Sequence, residues 1–276
     1  MRGLRFTARL LLMAVCLPLA SSAGATGKAK WVLEWSDEFI GRAEALPDPA
    51  KWVYDLGATG WGNHELEDYT DKPENVSTDG RGHLAVRAIR SDSGKYSSGR
   101  LKTQGRFEVQ YGRIEARIRI PRGNGIWPAC WLLGGDISAV GWPQSGEIDL
   151  MENIGKEPSI VHGTVHGPGY SGAKGISAQI TLKRKKRLSH RFHVFGVEWL
   201  PGSIEFFLDG VPYAKVTPAS LPAGRQWVFD KPFFLLLNLA VGGDWPGNPD
   251  STTRFPQTML VDWVRVWKPV DGTMVR

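Results

Sequence analysis

Along much of the chain apolar and polar residues alternate one by one. The clearest stretch sets Ile114, Ala116, Ile118 and Ile120 against Arg113, Glu115, Arg117 and Arg119, the mark of a strand with one face buried and one wet. Residues 83–90, 203–208 and 259–267 follow the same rule, and 31–39 is also strand-like. Asp209-Gly210 between two apolar runs predicts a tight hairpin. Phe233 to Val241 is apolar at every position except Asn238, as expected of a strand covered on both faces. No window sustains a helical period over three turns, and 33 glycines and 18 prolines punctuate the chain throughout. With no internal repeat, no low-complexity linker and no composition break, the pattern predicts one all-β sandwich from Trp31 to Trp267, its two ends close together.

The first 25 residues break this pattern. Arg2, Arg5 and Arg9 precede an apolar run from Leu10 to Ala20, then Ala23-Gly24-Ala25, which reads as a signal peptide cleaved near Ala25. The run is too short to span a bilayer comfortably, and no later stretch has the length of a membrane helix. The expectation is therefore a 26–276 domain that is exported, secreted and free of the membrane once the leader is removed. A lipid anchor at Cys16 is the weaker reading, because Met13-Ala14-Val15 lacks the small residue such anchoring needs. Cys130 is then the single cysteine of the mature chain, so no internal disulfide forms, and between Ala129 and Trp131 it reads as an inert core hydrophobe. The formal charge of +6 includes the three leader arginines, which leaves a mildly basic chain with no call for a nucleic-acid partner. The dense run Lys183 to Arg187 reads as a solvated loop.

The candidate chemistry lies in Gly146-Glu147-Ile148-Asp149-Leu150-Met151-Glu152-Asn153. Glu147 and Asp149 share a strand face, but Glu152, five positions from Glu147, points the other way in a regular strand. One extra residue at Met151, a β-bulge, brings all three acids to one face. Four effective steps separate the outer Cα atoms by about 13 Å, so the glutamate arms must lean inward to reach the roughly 5–5.5 Å carboxyl spacing of a retaining glycosidase. Three crowded carboxyls do not all ionise at neutral pH, and the retained proton is what a general acid needs. Acids are disfavoured in strands, and three on one face without interleaved bases repel unless that face has a use.

A cleft for sugar rings needs indoles near its carboxylates, because flat C–H faces pack on them. Trp127 and Trp131, with Trp61 and Trp245 in glycine-rich loops, are the candidates. Trp31, Trp35, Trp52, Trp199, Trp227, Trp263 and Trp267 read as core, and Trp142 is left open. His162 and His166, four apart on one strand face, lack the further His or Cys of ordinary zinc spacing, so hydrogen bonding to a sugar or carboxylate suits them better. Ser171-Gly172 lacks the nucleophile-elbow pattern, and no phosphate loop appears.

These residues resemble glycoside hydrolase family 16, in particular its bacterial laminarinase branch. The resemblance runs from about Trp31 to Trp267 through Trp61-Gly62-Asn63-His64-Glu65-Leu66, Gly112-Arg113-Ile114-Glu115-Ala116-Arg117, Gly146 to Glu152, His162 to Gly172 and Phe233 to Pro246. It implies a jelly-roll sandwich of two curved antiparallel sheets with a concave substrate cleft, and endo-acting, retaining cleavage of β-1,3-glucan by a monomer. It assigns Glu147 as nucleophile, Glu152 as acid/base and Asp149 as the carboxylate that tunes them. It places Asn63, Arg100, Trp127, Trp131, His166 and Trp245 on the glucose units. It implies no cofactor for chemistry, and a structural calcium ion held by Glu38, the Gly82 carbonyl and Asp262. Cys130 stands where a larger apolar residue is usual. Agarase, carrageenase or mixed-linkage activity on the same fold is the alternative within enzymes. A glucan-binding module is the alternative outside them, distinguished by its loss of the glutamates.

Overall fold

The computed structural model describes residues 30–270, so the predicted signal peptide lies outside the described residues. Among these residues the chain forms two packed sheets, with the longest helix only the four-residue turn Ile137–Val140. The first sheet has seven strands, in spatial order Ile176–Thr181, Ile160–His166, Glu147–Glu152, Ile126–Gly134, Phe233–Val241, Arg100–Lys102 and Val53–Tyr54, all antiparallel. The second runs Val211–Val216, Ser203–Leu208, His193–Leu200, Gly112–Arg119, Gln257–Pro269, Leu84–Arg90, Tyr96–Ser98 and Glu67–Tyr69. Trp31–Asp37 pairs with Gln257–Pro269, and Val76–Thr78 with Leu84–Arg90. Its short Glu67–Tyr69 and Tyr96–Ser98 pair is parallel, an exception to the antiparallel rule. The architecture is a jelly-roll sandwich.

Alternation explains the packing. Ile114, Ala116 and Ile118 are fully buried while Arg113, Glu115 and Arg117 stay partly wet on the outer face. From the other sheet, Ile126, Cys130, Leu132, Ile148, Phe233, Leu235, Leu237 and Leu239 meet them in one core. Phe233–Val241 is buried at every position: its odd-numbered side chains join that core, while Phe234 and Leu236 pack with Leu133 and Trp131 on the opposite side. Asp209 and Gly210, at φ 51° and 76°, make the predicted hairpin between Ser203–Leu208 and Val211–Val216. Such a turn needs left-handed backbone at both central positions, which Asp and Gly tolerate. The ends of the described chain pair directly, Trp31 opposite Pro269.

One reading changes. Of the tryptophans assigned to the core, Trp52 and Trp199 are buried, and Trp35 and Trp227 pack at its margin. Trp263, by contrast, lies on the outer sheet face beneath the Arg265 guanidinium, 4.3 Å away, because it falls between the inward Val261 and Val264 in the alternation. Trp31 and Trp267 are also only partly covered. Asn75 of the Asn75-Val76-Ser77 sequon is fully buried, its amide donating to the Arg87 carbonyl and to Ser97 Oγ. That leaves it no face for a glycan in the folded chain.

Candidate active site

The seven-stranded sheet carries a cleft of 990 Å³ whose lining includes Glu147, Asp149 and Glu152. A register shift within Glu147–Glu152 puts them on one face. Against Ile126–Gly134 the pairing is Asp149 with Trp131, then Met151 with Cys130 and Glu152 with Ala129, so Leu150 is the unpaired residue. Against Ile160–His166, Asp149 pairs with Thr164 and Glu152 with His162, so Leu150 and Met151 together oppose Gly163. The bulge is present as predicted, but the ladder places the extra residue at Leu150. Both Leu150 and Met151 turn into the core, which is how a bulge resets the alternation. Gly163 answers them across the ladder, since a Cβ there would stand 2.4 Å from the Tyr213 hydroxyl and 2.6 Å from the Phe206 ring.

The acids meet few cations. His166 Nε2 stands 3.2 Å from Asp149 Oδ2 and 3.9 Å from Glu147 Oε1. The Trp142 indole donates to Glu147 Oε2 at 2.7 Å, and the Trp127 indole to Glu152 Oε1 at 3.1 Å. Burial, reinforced by the neighbouring Asp149 charge, pushes Glu147 up to about 8, although His166 and the Trp142 donor pull the other way. Burial likewise lifts Asp149 to about 7. Glu152 is held well above the usual carboxylate range by burial first, then by the charge of Asp149. The cluster therefore keeps protons at neutral pH, Glu152 being held well above the carboxylate range, and each glutamate accepts one indole N–H that favours its carboxylate form.

Around the acids the predicted residues converge. Asn63, Arg100, Trp127, Trp131, His166 and Trp245 all line the cleft. Arg100 lies between two indoles, 4.6 Å from the Trp61 ring and 4.9 Å from that of Trp131, and its Nε donates to Asp55 at 2.9 Å. Trp127 and Trp245 meet edge to face at 5.5 Å. His162 Nε2 is 2.9 Å from Glu157 Oε2 and its ring lies against Trp245, so the two cleft histidines turn to different carboxylates. Glu147, Asp149 and His166 are the one acid and histidine cluster compact enough for an ion among the described residues. Trp142, 46% exposed at the rim, was left open by the sequence. Its place five residues before Glu147, in Gly141-Trp142-Pro143, was the available signal.

The predicted calcium ligands do not fit. Glu38 is gripped by Arg265 through two bonds of 2.9 and 2.8 Å, and Asp262 pairs with Arg117 while His83 Nε2 stands 3.8 Å off. Each carboxylate already faces a guanidinium, so a dication would have to displace both partners. The basic run is exposed at Lys183, Arg184, Lys186 and Arg187, as expected of a solvated loop.

A β-sandwich whose cleft floor carries two glutamates flanking an aspartate, walled by indoles, has the build of a glycoside hydrolase. Glycosyl hydrolases family 16 matches residues 64–265, and the chain belongs to that family. It is 39% identical to a beta-glucanase of Rhodothermus marinus over 97% of this chain and 96% of the relative. An endo-beta-1,3-glucanase structure from Pyrococcus furiosus is similar at 46% identity and TM-score 0.82, covering 88% of this chain and 97% of that one. The laminarinase catalytic domain from Thermotoga maritima gives 44% identity and TM-score 0.82, with coverage of 87% and 99%.

Proposed function

We propose that the protein is a secreted, endo-acting, retaining hydrolase of β-1,3-glucosidic bonds in laminarin-like glucans. The observation that carries this reading is the bulged strand, which aims Glu147, Asp149 and Glu152 into one indole-walled cleft. The glucanase names of its relatives supply the linkage. In the first step a Glu147 oxygen attacks C1 of the sugar while Glu152 gives its proton to the departing glycosidic oxygen. In the second, Glu152 takes a proton from water, whose oxygen replaces Glu147 at C1. Burial first, and then the charge of Asp149 between them, keeps the proton on Glu152. Both steps use side chains alone and require no cofactor. Trp127, Trp131 and Trp245 offer apolar ring faces to glucose, and Asn63, Arg100 and His166 offer polar contacts. Residues 1–25 are the leader of this scheme and 26–276 its single catalytic domain, working as a monomer.

Reducing-sugar release from laminarin, lichenan, agarose and cellulose, measured side by side, tests the substrate. Laminarin should be cleaved fastest, first yielding β-configured ends. Turnover of agarose with laminarin untouched would defeat the reading.

A further inference from the structure

Behind the cleft wall lies a second pair of acids that the reaction does not use. Glu67 has no exposed surface. Its Oε2 accepts the Val241 N–H at 2.6 Å, while its Oε1 is buried without a partner. Glu65, also buried, receives everything around it. Asn63 Nδ2 donates to Oε1 at 2.9 Å, and the Tyr69 hydroxyl donates to Oε2 at 3.1 Å. Tyr69 in turn accepts from Asn238 Nδ2 at 3.1 Å, and Asn238 Oδ1 accepts the Trp131 indole N–H at 2.8 Å. All donors in this relay run one way, from Trp131 through Asn238 and Tyr69 to Glu65, so Glu65 is the acceptor at its end. An ionised carboxylate at Glu67 would leave its bare Oε1 buried with no donor.

We infer that Glu67 remains a carboxylic acid whose Oε1 proton is donated to Glu65, and that this one-proton pair positions Asn63 and Trp131 for the glucan. The inference rests on the assignment of those two residues to glucan binding. The proton gives the orphan Oε1 a partner, and Glu65, which receives two other donors, has lone pairs left to accept it. Consistently, burial and then the Glu65 charge push Glu67 up to about 9. The other ionisable groups around the pair are Tyr69, itself held well above its ordinary range by burial, and Arg100, whose charge acts on Tyr69 from the other sheet. His64 and Asp244 pair with each other at the exposed rim. Glu67 touches no substrate. It is a positioning residue, and it also pins the Val241 backbone from which the Trp245 loop departs.

The test exploits the likeness of glutamine to a protonated glutamate. In Glu67→Gln, the amide Nε2 can donate to Glu65 and Oε1 can accept from Val241. Wild-type KM for laminarin should rise as pH passes about 9, and this variant should keep KM within about twofold of wild type at pH 7 and lack that rise. Glu67→Ala, and Glu65→Gln, which puts a donor where donors converge, should raise KM about tenfold with less change in kcat. Infrared difference spectra of the substrate-free protein should contain a carboxylic-acid band at pH 7 that disappears in Glu67→Gln. Should Glu67→Ala fail to fold, melting curves still decide. A carboxyl raised from 4.5 to about 9 lowers stability as pH climbs through that window, so wild type should lose stability there relative to Glu67→Gln. Glutamine as damaging as alanine, no band, or parallel melting profiles would overturn the inference. A band present in a protein inactive on laminarin would instead fault the proposed substrate.

Discussion

The two sheets treat acidic residues in opposite ways. On the ten-stranded sheet nearly every outward carboxylate has a cation. Arg113 bridges Glu115 and Glu198, Arg117 meets Asp262, and Arg265 forks onto Glu38. There the Arg265 hydrogen bonds hold Glu38 below the usual carboxylate range. On the seven-stranded sheet Glu147, Asp149 and Glu152 have two indoles, one histidine and each other, and burial drives all three upward. Paired charges are spent on holding strands in place, whereas crowded acids without cations retain protons that can move. That contrast locates chemistry more sharply than counting acids does.

The comparison breaks most visibly at Glu147, the nucleophile of the proposed reaction. Glu147→Ala should lower kcat/KM on laminarin by about 10⁴-fold or more while leaving the melting temperature near wild type. With an activated substrate, azide should restore turnover and give an α-configured glycosyl azide, as NMR of the product would reveal. A β-azide would remove Glu147 from its role. Next comes the bulge. Deleting Met151 leaves a strict alternation of the three acids but takes one side chain from the core, at a cost of about 2–5 kcal/mol. A folded deletion variant with residual hydrolysis is expected, and one that folds but has no turnover would refute the reading of the bulge as a phase reset. Trp142→Phe removes only the N–H that supports the Glu147 carboxylate. It should lower kcat/KM by about 10- to 100-fold and move the acidic limb of the pH profile upward, since loss of that donor raises Glu147 further. The smallest effects belong to the paired sheet. Glu38→Gln should leave kcat unchanged and cost at most about 1 kcal/mol. That loss is expressed at neutral pH and vanishes as pH falls below the lowered value of Glu38, where wild type is itself protonated. EDTA should leave the melting curve in place, because the Glu38 and Asp262 partners are guanidiniums already in the chain. A large drop in melting temperature on chelation would restore the calcium site.

Much of this was legible as period two. The strands at 114–118 and 203–208 could be read directly, because half-buried sheets impose a strict alternation. The bulge was legible from the five-residue spacing of Glu147 and Glu152, but not its exact residue, since Leu150 and Met151 are both apolar and both face the core. Trp263 was misplaced because an indole under a guanidinium looks, in sequence, like an indole in a core. The guanidinium partners of the expected calcium ligands were hidden by distance in the chain: Arg117 lies 145 positions from Asp262, and Arg265 lies 227 from Glu38. Glu65 and Glu67 alternate plainly with Tyr69, yet their burial depends on the distant Phe233–Val241 strand closing over them.

The antiparallel pairing of Trp31–Asp37 with Gln257–Pro269 has a mechanical consequence. Trp31 faces Pro269, and the Val270 N–H bonds the Lys30 carbonyl at 2.8 Å, so the two strands leave the sheet side by side at one corner. Tension applied between these ends would load their hydrogen bonds one after another, like a zipper, instead of all at once in shear. The sandwich should thus yield to pulling at low force from its terminal strand inward, while the sheet carrying the cleft is the last part to feel the load.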